Sequence, residues 1–253
     1  MPLELALIIL IFAIQWLAFI PAWYFKTERF YDLTGGLTYT LVILVALLFT
    51  DTSHWRPVLL GLLVILWSLR LGLFLFLRIR AAGGDSRFEH IKVAAGRFFI
   101  AWTLQAVWIT FTASAAILAM TSTQEAGFTV VSVLGLGLWI VGFSMEVVAD
   151  QQKSRFRKNP ANDNAFINTG LWSFCRHPNY TGEIMLWLGI ALIALPVLEG
   201  WQLLSLLSPV FVALLLIKGS GIPLLERAAE QKWGNSEDYQ RYKANTPRLF
   251  PGY

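Results

Sequence analysis

Cysteine is all but missing from this chain. Cys175 stands alone, which excludes an internal disulfide and a cysteine-built metal centre. Three histidines, His54, His90 and His177, fall at no recognisable ligand spacing, so no metal site is expected. Charge is scarce too: Asp, Glu, Lys and Arg make up 14% of 253 residues, too few for a water-soluble globule of this length. Internal repeats and low-complexity segments are absent. The N-terminus has neither a basic flank nor a small-residue cleavage site, so the first apolar run reads as a retained helix rather than a removable leader.

What fills the chain is hydrocarbon. Hydrophobic residues account for 56% and mean hydropathy is +0.58, the composition of a polytopic membrane protein. Apolar runs of roughly spanning length cover residues 3–25, 36–50, 58–77, 98–121, 128–148, 180–198 and 201–222. The predicted fold class is all-α: a polytopic membrane bundle of about seven transmembrane helices forming a single membrane domain over 1–253. The second run is bounded by Thr34-Gly35-Gly36, where an irregular helix start is expected. Lys and Arg gather in the loops after the first, third, fifth and seventh runs. The loops after the fourth and sixth carry only Glu125 and Glu199, and the loop after the second carries Arg56. By the positive-inside rule the N-terminus is outside, and the basic loops and C-terminal tail are cytoplasmic. That bias accounts for the net charge of +4 and pI of 9.3 without nucleic acid; membrane lipids are the expected neighbours.

Polar side chains within or beside the apolar runs are the candidate functional residues. Arg70 lies inside the third run, where a guanidinium has to be paired or face water; ligand contact and a structural ion pair are equal alternatives. Glu146 and Asp150, four apart, share a helix face at the end of the fifth run. Lys153, Arg155, Arg157 and Lys158 follow, a run that either marks topology at lipid headgroups or offers guanidinium forks to nucleotide phosphates, with a carboxylate for a hydroxyl or amide. Stretch 168–183 is the densest in polar function, holding Arg176, His177, Asn179, Tyr180 and Glu183. Pro178 forbids helix at His177 and favours a first turn, so the sixth helix should begin near Pro178 or Asn179 with free N–H groups able to meet an anion. Capping by Asn179 and Glu183 is the competing account. Asp32 and Tyr39 are the acid candidates; a carboxyl partly inside an apolar bundle can stay protonated and donate, although N-capping explains Asp32 nearly as well. The tail should open a helix at Pro223 that includes Glu226, break at Gly234-Asn235, resume through Tyr239 and end at Pro247 and Pro251.

In combination, G-L-W-S-F-C-R-H-P-N-Y-T-G-E, the apolar hairpin after it, and then P-L-L-E-R and D-Y-Q-R-Y-K-A-N-T-P-R-L-F-P resemble the C-terminal domain of steroid 5α-reductases. W-S-L-R-L-G and G-G-D-S-R-F resemble that family's bacterial branch, long grouped as a domain of unknown function. The likeness runs from about Asp32 to the end and marks residues 98–253 as a reductase-like C-terminal part with a cofactor pocket. R-H-P-N-Y by itself is shared with sterol reductases and isoprenylcysteine carboxyl methyltransferases. The resemblance implies a protein of the bacterial inner membrane that binds NADPH from the cytoplasmic side and reduces the C=C of an α,β-unsaturated lipid. Carried over by position, Asp150, Arg157, Asn179 and Glu183 match cofactor-pocket residues, Arg70 a third-helix arginine near the cofactor, and Asp238 and Tyr239 the terminal D-Y. Arg155, Arg176, His177, Tyr180 and Glu226 join them as cofactor-binding candidates, Glu226 falling near a tail histidine that this sequence lacks. The family's second-helix Gln-Glu pair is absent and Trp67 stands where its third-helix tyrosine would be, so the cofactor carries over better than the substrate. Asp32 or Tyr39 would then be the acid. The rivals are a methyltransferase taking S-adenosylmethionine and a non-catalytic lipid-binding membrane protein. The surplus of cations from Lys153 to Lys158 favours NADPH over a zwitterionic sulfonium.

Overall fold

The computed structural model describes residues 1–219 and 221–249; Phe250 and Pro251, the end of the terminal signature, lie outside the described residues. Among those described there are helices and no strand, and seven stretches are long and apolar enough to cross a membrane. The protein is all-α, integral and multi-pass. Its helices are α1 (Leu3–Tyr24), α2 (Tyr31–Phe49), α3 (Trp55–Ala82), α4 (Ala95–Thr121), α5 (Val130–Lys158), α6 (Pro178–Ala194), α7 (Ser208–Lys218), α8 (Ile222–Trp233) and α9 (Glu237–Asn245).

Local chemistry sets most of the boundaries. α1 closes in a Schellman motif, Thr27 N–H donating to the Ala22 carbonyl at 3.0 Å and Lys26 N–H to that of Trp23 at 3.2 Å. Lys26 occupies the left-handed position (φ 49°) where glycine is usual, and its ammonium lies over the Trp23 ring. α3 ends on left-handed Gly83, and α6 starts at Pro178 as expected. α5 continues past the apolar run to Lys158, with Arg155, Arg157 and Lys158 in its last turn against the negative end of the helix dipole. The seventh run falls within one stretch able to cross a membrane, Gly200–Trp233, built of a 3-10 segment (Gly200–Leu207), α7 and α8; Pro209 and Pro223 stand in the first turns of α7 and α8. α8 and α9 flank Gly234-Asn235 as expected, and Ser236 caps α9 by accepting from Tyr239 N–H.

The chain forms two compact units. One comprises Met1–Gly127 with Ile193–Leu206. Here α2 begins regularly at Tyr31 and runs straight through Thr34-Gly35-Gly36, correcting the expected irregular start. The glycines serve packing: a Cβ on Gly36 would lie 2.7 Å from the Ser68 carbonyl oxygen and 3.1 Å from Gly72 Cα. Thr40 and Ser68 hydroxyls meet beside this contact at 3.0 Å. Small residues four apart on both helices, Gly36 with Thr40 and Ser68 with Gly72, let the two backbones touch. Fully buried Gln15 on α1 donates through Nε2 to Thr38 Oγ1 at 2.8 Å, and Phe19 and Trp16 of α1 pack on Phe98 and Phe99 of α4. Arg56, expected in a loop, is buried in the first turn of α3, its Nε donating to the Ile193 carbonyl at 3.1 Å. Glu28 is likewise buried, accepting from Lys92 Nζ at 2.7 Å and from Asp85 N–H at 3.0 Å, which ties the α1–α2 loop to the α3–α4 loop.

The other unit comprises residues 128–192 and 207 onward. Its centre is an antiparallel pair in which Gly142 meets Gly182 and Gly189 meets Gly135. A Cβ on Gly142 would sit 2.6 Å from the Gly182 carbonyl oxygen, and one on Gly189 2.5 Å from that of Gly135. The contacts recur at heptad spacing on α5 and on α6, so the two helices touch along one seam.

Gly36→Ala and Gly182→Ala are each expected to destabilise the protein by about 1–3 kcal/mol, since backbone rather than a flexible side chain blocks the new methyl. Gly137→Ala, which meets open space, should be neutral or stabilising by up to about 1 kcal/mol; equal shifts in unfolding midpoint at all three would refute the packing account. Burial raises the Glu28 carboxyl, but Lys92 and the Asp85 N–H draw it further down, to below its ordinary 4.5. A carboxyl lowered on folding stabilises above its unfolded value and loses that contribution as pH falls through its folded value. Wild-type stability should therefore fall more steeply below about pH 4.5 than that of Glu28→Gln, which a pH series of thermal midpoints checks.

Candidate functional site

The α5–α6 seam carries three acidic side chains into the second unit. Glu146 is 2% exposed, Asp150 6% and Glu183 8%. Glu146 and Asp150 are one turn apart on α5. Glu183 follows Gly182, whose Cβ position would lie 2.7 Å from Glu146 N, so the carboxylates of both helices are anchored at the tightest point of the seam. Burying carboxylates is costly without compensating partners, and the residues after Asp150 are cationic. Lys153 Nζ lies 4.3 Å from the centre of the Trp172 ring, while Arg155 and Arg157 are exposed on the last turns. The 3-10 turn Gly170–Ser173 is bound to α5: Leu171 N–H donates to Gln152 Oε1 at 3.0 Å and Trp172 Nε1 to the Ala149 carbonyl at 3.1 Å. Gly170 is needed there, because its φ is +62° and a Cβ would strike the Gln152 amide. The turn leads into Arg176, His177 and Pro178, with Asn179 and Tyr180 in the first turn of α6.

A second cluster gathers around Glu226 of α8. Its Oε1 lies 3.1 Å from His177 Nε2 and 3.3 Å from Arg176 Nη1, and its Oε2 3.6 Å from Arg248 Nε. Only the histidine contact has hydrogen-bond geometry; the arginine contacts are ion pairs by distance. Burial pushes the His177 imidazole below its ordinary value, with the Glu226 hydrogen bond pulling the other way. In the neutral ring the proton is on Nε2, because Glu226 between two guanidinium groups is an acceptor. Nδ1 is buried without a hydrogen-bond partner. The His177 ring stacks on Tyr180 at 5.7 Å. The sequence lacks a tail histidine near Glu226; the histidine that Glu226 meets is His177 of stretch 168–183. Arg248 and Lys243 were not legible there, since nothing in the spacing from 226 to 248 reports how α8 and α9 fold back.

Tyr239 is part of an aromatic cluster, its ring 5.3 Å from Phe166 and 6.1 Å from Trp233, and burial raises its phenol. Tyr242 donates to the Trp172 carbonyl at 2.6 Å. Asp238 is exposed and pairs with Arg241 one turn on.

The remaining candidates belong to the first unit. Asp32 is not the cap of α2: the cap position is Phe30, with no side-chain bond. Its Oδ2 lies 3.7 Å from Arg87 Nη2, and Arg87 also pairs with Asp85. Tyr39 is buried edge-on against Trp67 at 5.2 Å. Asp32 and Tyr39 share one face of α2 but are about 10 Å apart along its axis, so they are alternatives for an acid and not a pair acting on one oxygen. Arg70 is half-buried, its guanidinium 5.3 Å from the Phe74 ring one turn on. No cluster of His, Cys, Asp or Glu able to hold a metal occurs among the described residues.

No curated protein and no solved structure matches this chain. A family model described as "Protein of unknown function (DUF1295)" matches residues 18–246, and over that length the chain belongs to that family.

Proposed function

We propose that the protein is an NADPH-dependent membrane oxidoreductase that reduces the C=C bond of an α,β-unsaturated ketone lipid. The observation that carries this reading is the burial of Glu146, Asp150 and Glu183 at a helix seam that runs directly into a cationic helix end. A dinucleotide presents phosphates to cations, and ribose hydroxyls and a carboxamide to carboxylates and an asparagine. The residues fit such a group: Arg155 and Arg157 stand exposed where phosphate oxygens are met in water, whereas Asp150, Glu183 and Asn179 supply acceptors and an amide where water is scarce. The resemblance in stretch 168–183 supports the same assignment. When bound, NADPH would supply a hydride for the β-carbon of the substrate and leave as NADP+, and a proton added at the α-carbon would complete the reduction.

The chain's own residues have three tasks. Asp150, Asn179 and Glu183 orient the cofactor, and Arg157 with Arg155 selects its phosphates. Burial among helices excludes water from the reacting centre. Polarising the substrate oxygen requires a protein donor; Tyr39 and Asp32 are the alternatives for it, and the Asp32 carboxylate lies 3.7 Å from Arg87.

NADPH at one hundred times its dissociation constant should stabilise the purified protein by about 2.7 kcal/mol, read as a rise in unfolding midpoint. Arg157→Ala and Asn179→Ala should abolish the rise, and S-adenosylmethionine should produce none. Absence of any shift with millimolar NADPH, or an equal shift with S-adenosylmethionine, would overturn the cofactor assignment. Tyr39→Phe should leave the NADPH shift intact while lowering lipid-dependent NADPH oxidation about 100-fold or more.

A further inference from the structure

Arg176 has more donors than its ion pair uses. The side chain is 10% exposed; Nη1 lies 3.3 Å from Glu226 Oε1 as an ion pair without hydrogen-bond geometry, and Nε is buried with no hydrogen-bond partner among the described residues. A guanidinium offers five N–H donors in a planar fork and does not lose its charge. Leaving buried donors unmet costs free energy until an acceptor arrives.

The same side chain lines a cleft of about 700 Å³ formed with Lys243, Arg248 and the intervening tail. Three cations line the cleft and no carboxylate does. Glu226 is shared among Arg176, Arg248 and His177, and Glu230 holds Lys243 at 2.7 Å, so two carboxylates face three permanent cations. The wall is held in place by backbone bonds: Arg176 N–H donates to the Pro247 carbonyl at 2.9 Å and His177 N–H to that of Arg248 at 3.0 Å. Arg248 is 47% exposed, so part of its guanidinium is open to a ligand while it stays beside Glu226.

We propose that this cleft binds a phosphate group, with the Arg176 fork as its fixed contact and Arg248 and Lys243 closing on it from the tail. A carboxylate is satisfied by one fork, whereas a tetrahedral phosphate offers oxygens to cations arriving from several directions, which is the arrangement found here. The carrier is either the headgroup of an anionic membrane lipid or a free phosphate compound, since both present the same oxygens. The inference needs no hydride chemistry, but it shares Arg176, His177 and Glu226 with the cofactor candidates, so NADPH is itself one of the free phosphate compounds that the cleft admits.

Equilibrium dialysis of labelled inorganic phosphate against the full chain in neutral detergent, with ionic strength held constant by chloride, tests it. Saturable binding is expected, about tenfold weaker in Arg248→Gln and in Arg176→Lys, which keeps the charge opposite Glu226 but loses the fork. Native mass spectrometry from nanodiscs of phosphatidylcholine with some phosphatidylglycerol separates the carriers. Phosphatidylglycerol retained by wild type and lost from Arg248→Gln assigns the site to lipid; phosphate binding with no retained phosphatidylglycerol assigns it to a free compound. Neither binding nor retention in wild type, or both variants behaving as wild type, would overturn the proposal. Arg157 and Asn179, which carry the NADPH test, lie outside this cleft, so the two readings can fail separately.

Discussion

Helices in lipid gain nothing by hiding leucine from one another, because the acyl chains around them are as apolar as the side chains. What holds them is close contact, and here that means backbone against backbone. In one unit Gly36 of α2 lies on Ser68 and Gly72 of α3; in the other, Gly142 and Gly135 of α5 lie on Gly182 and Gly189 of α6. A methyl group at these points would occupy the place of a carbonyl oxygen. The remaining structure depends on these contacts, since they fix the level at which each polar side chain enters the interior.

The polar groups follow a second rule of the same medium: burying one without an acceptor or donor nearby is costly. Arg56 illustrates it without any acid, its guanidinium turning to the carbonyls of Ile193 and Gly127. Glu28 does so by joining Lys92 to the Asp85 backbone. Glu226 draws three basic side chains, and the surplus of donors on Arg176 distinguishes that cluster from the other two. An ion pair whose donors are all used explains itself as structure, whereas one with donors left over implies a further acceptor.

Much of this was legible in the residues. Seven apolar runs became seven stretches able to span a membrane, and Pro178 opened α6 because proline is favourable at a first helical turn and prevents helix before it. Pro223 and Gly234-Asn235 bounded α8 for equally local reasons. Misreadings arose where tertiary contact outweighs local signal. Gly35 and Gly36 look like a break until a neighbouring helix requires their lack of side chains, and Arg56 looks like a loop charge until carbonyls distant in sequence accept from it. The end of α5 ran beyond its apolar stretch because cations suit a helix C-terminus as well as they suit water. Within the candidate site, Glu146, Asp150 and Glu183 could be assigned to helix faces from spacing alone. The pairing of Glu226 with His177 could not, because it depends on the path of the tail.

That path has its own physical cause. Arg176 and His177 immediately precede a proline that starts a helix, so their N–H groups have no intrahelical acceptor. The carbonyls of Pro247 and Arg248 provide one for each, as a neighbouring strand would. Once those two bonds form, the Arg248 side chain has little choice but to lie near Glu226, and the Tyr242 hydroxyl reaches the carbonyl of Trp172, whose indole is bound to α5. The chain from Trp172 to His177 is thus held from α5 on one side and from the tail on the other. A change in the tail acts on the start of α6 through hydrogen bonds to the backbone, before any question of which side chains touch a ligand. The tail belongs to the architecture of the site, and substitutions there should be judged first by the acceptors they displace.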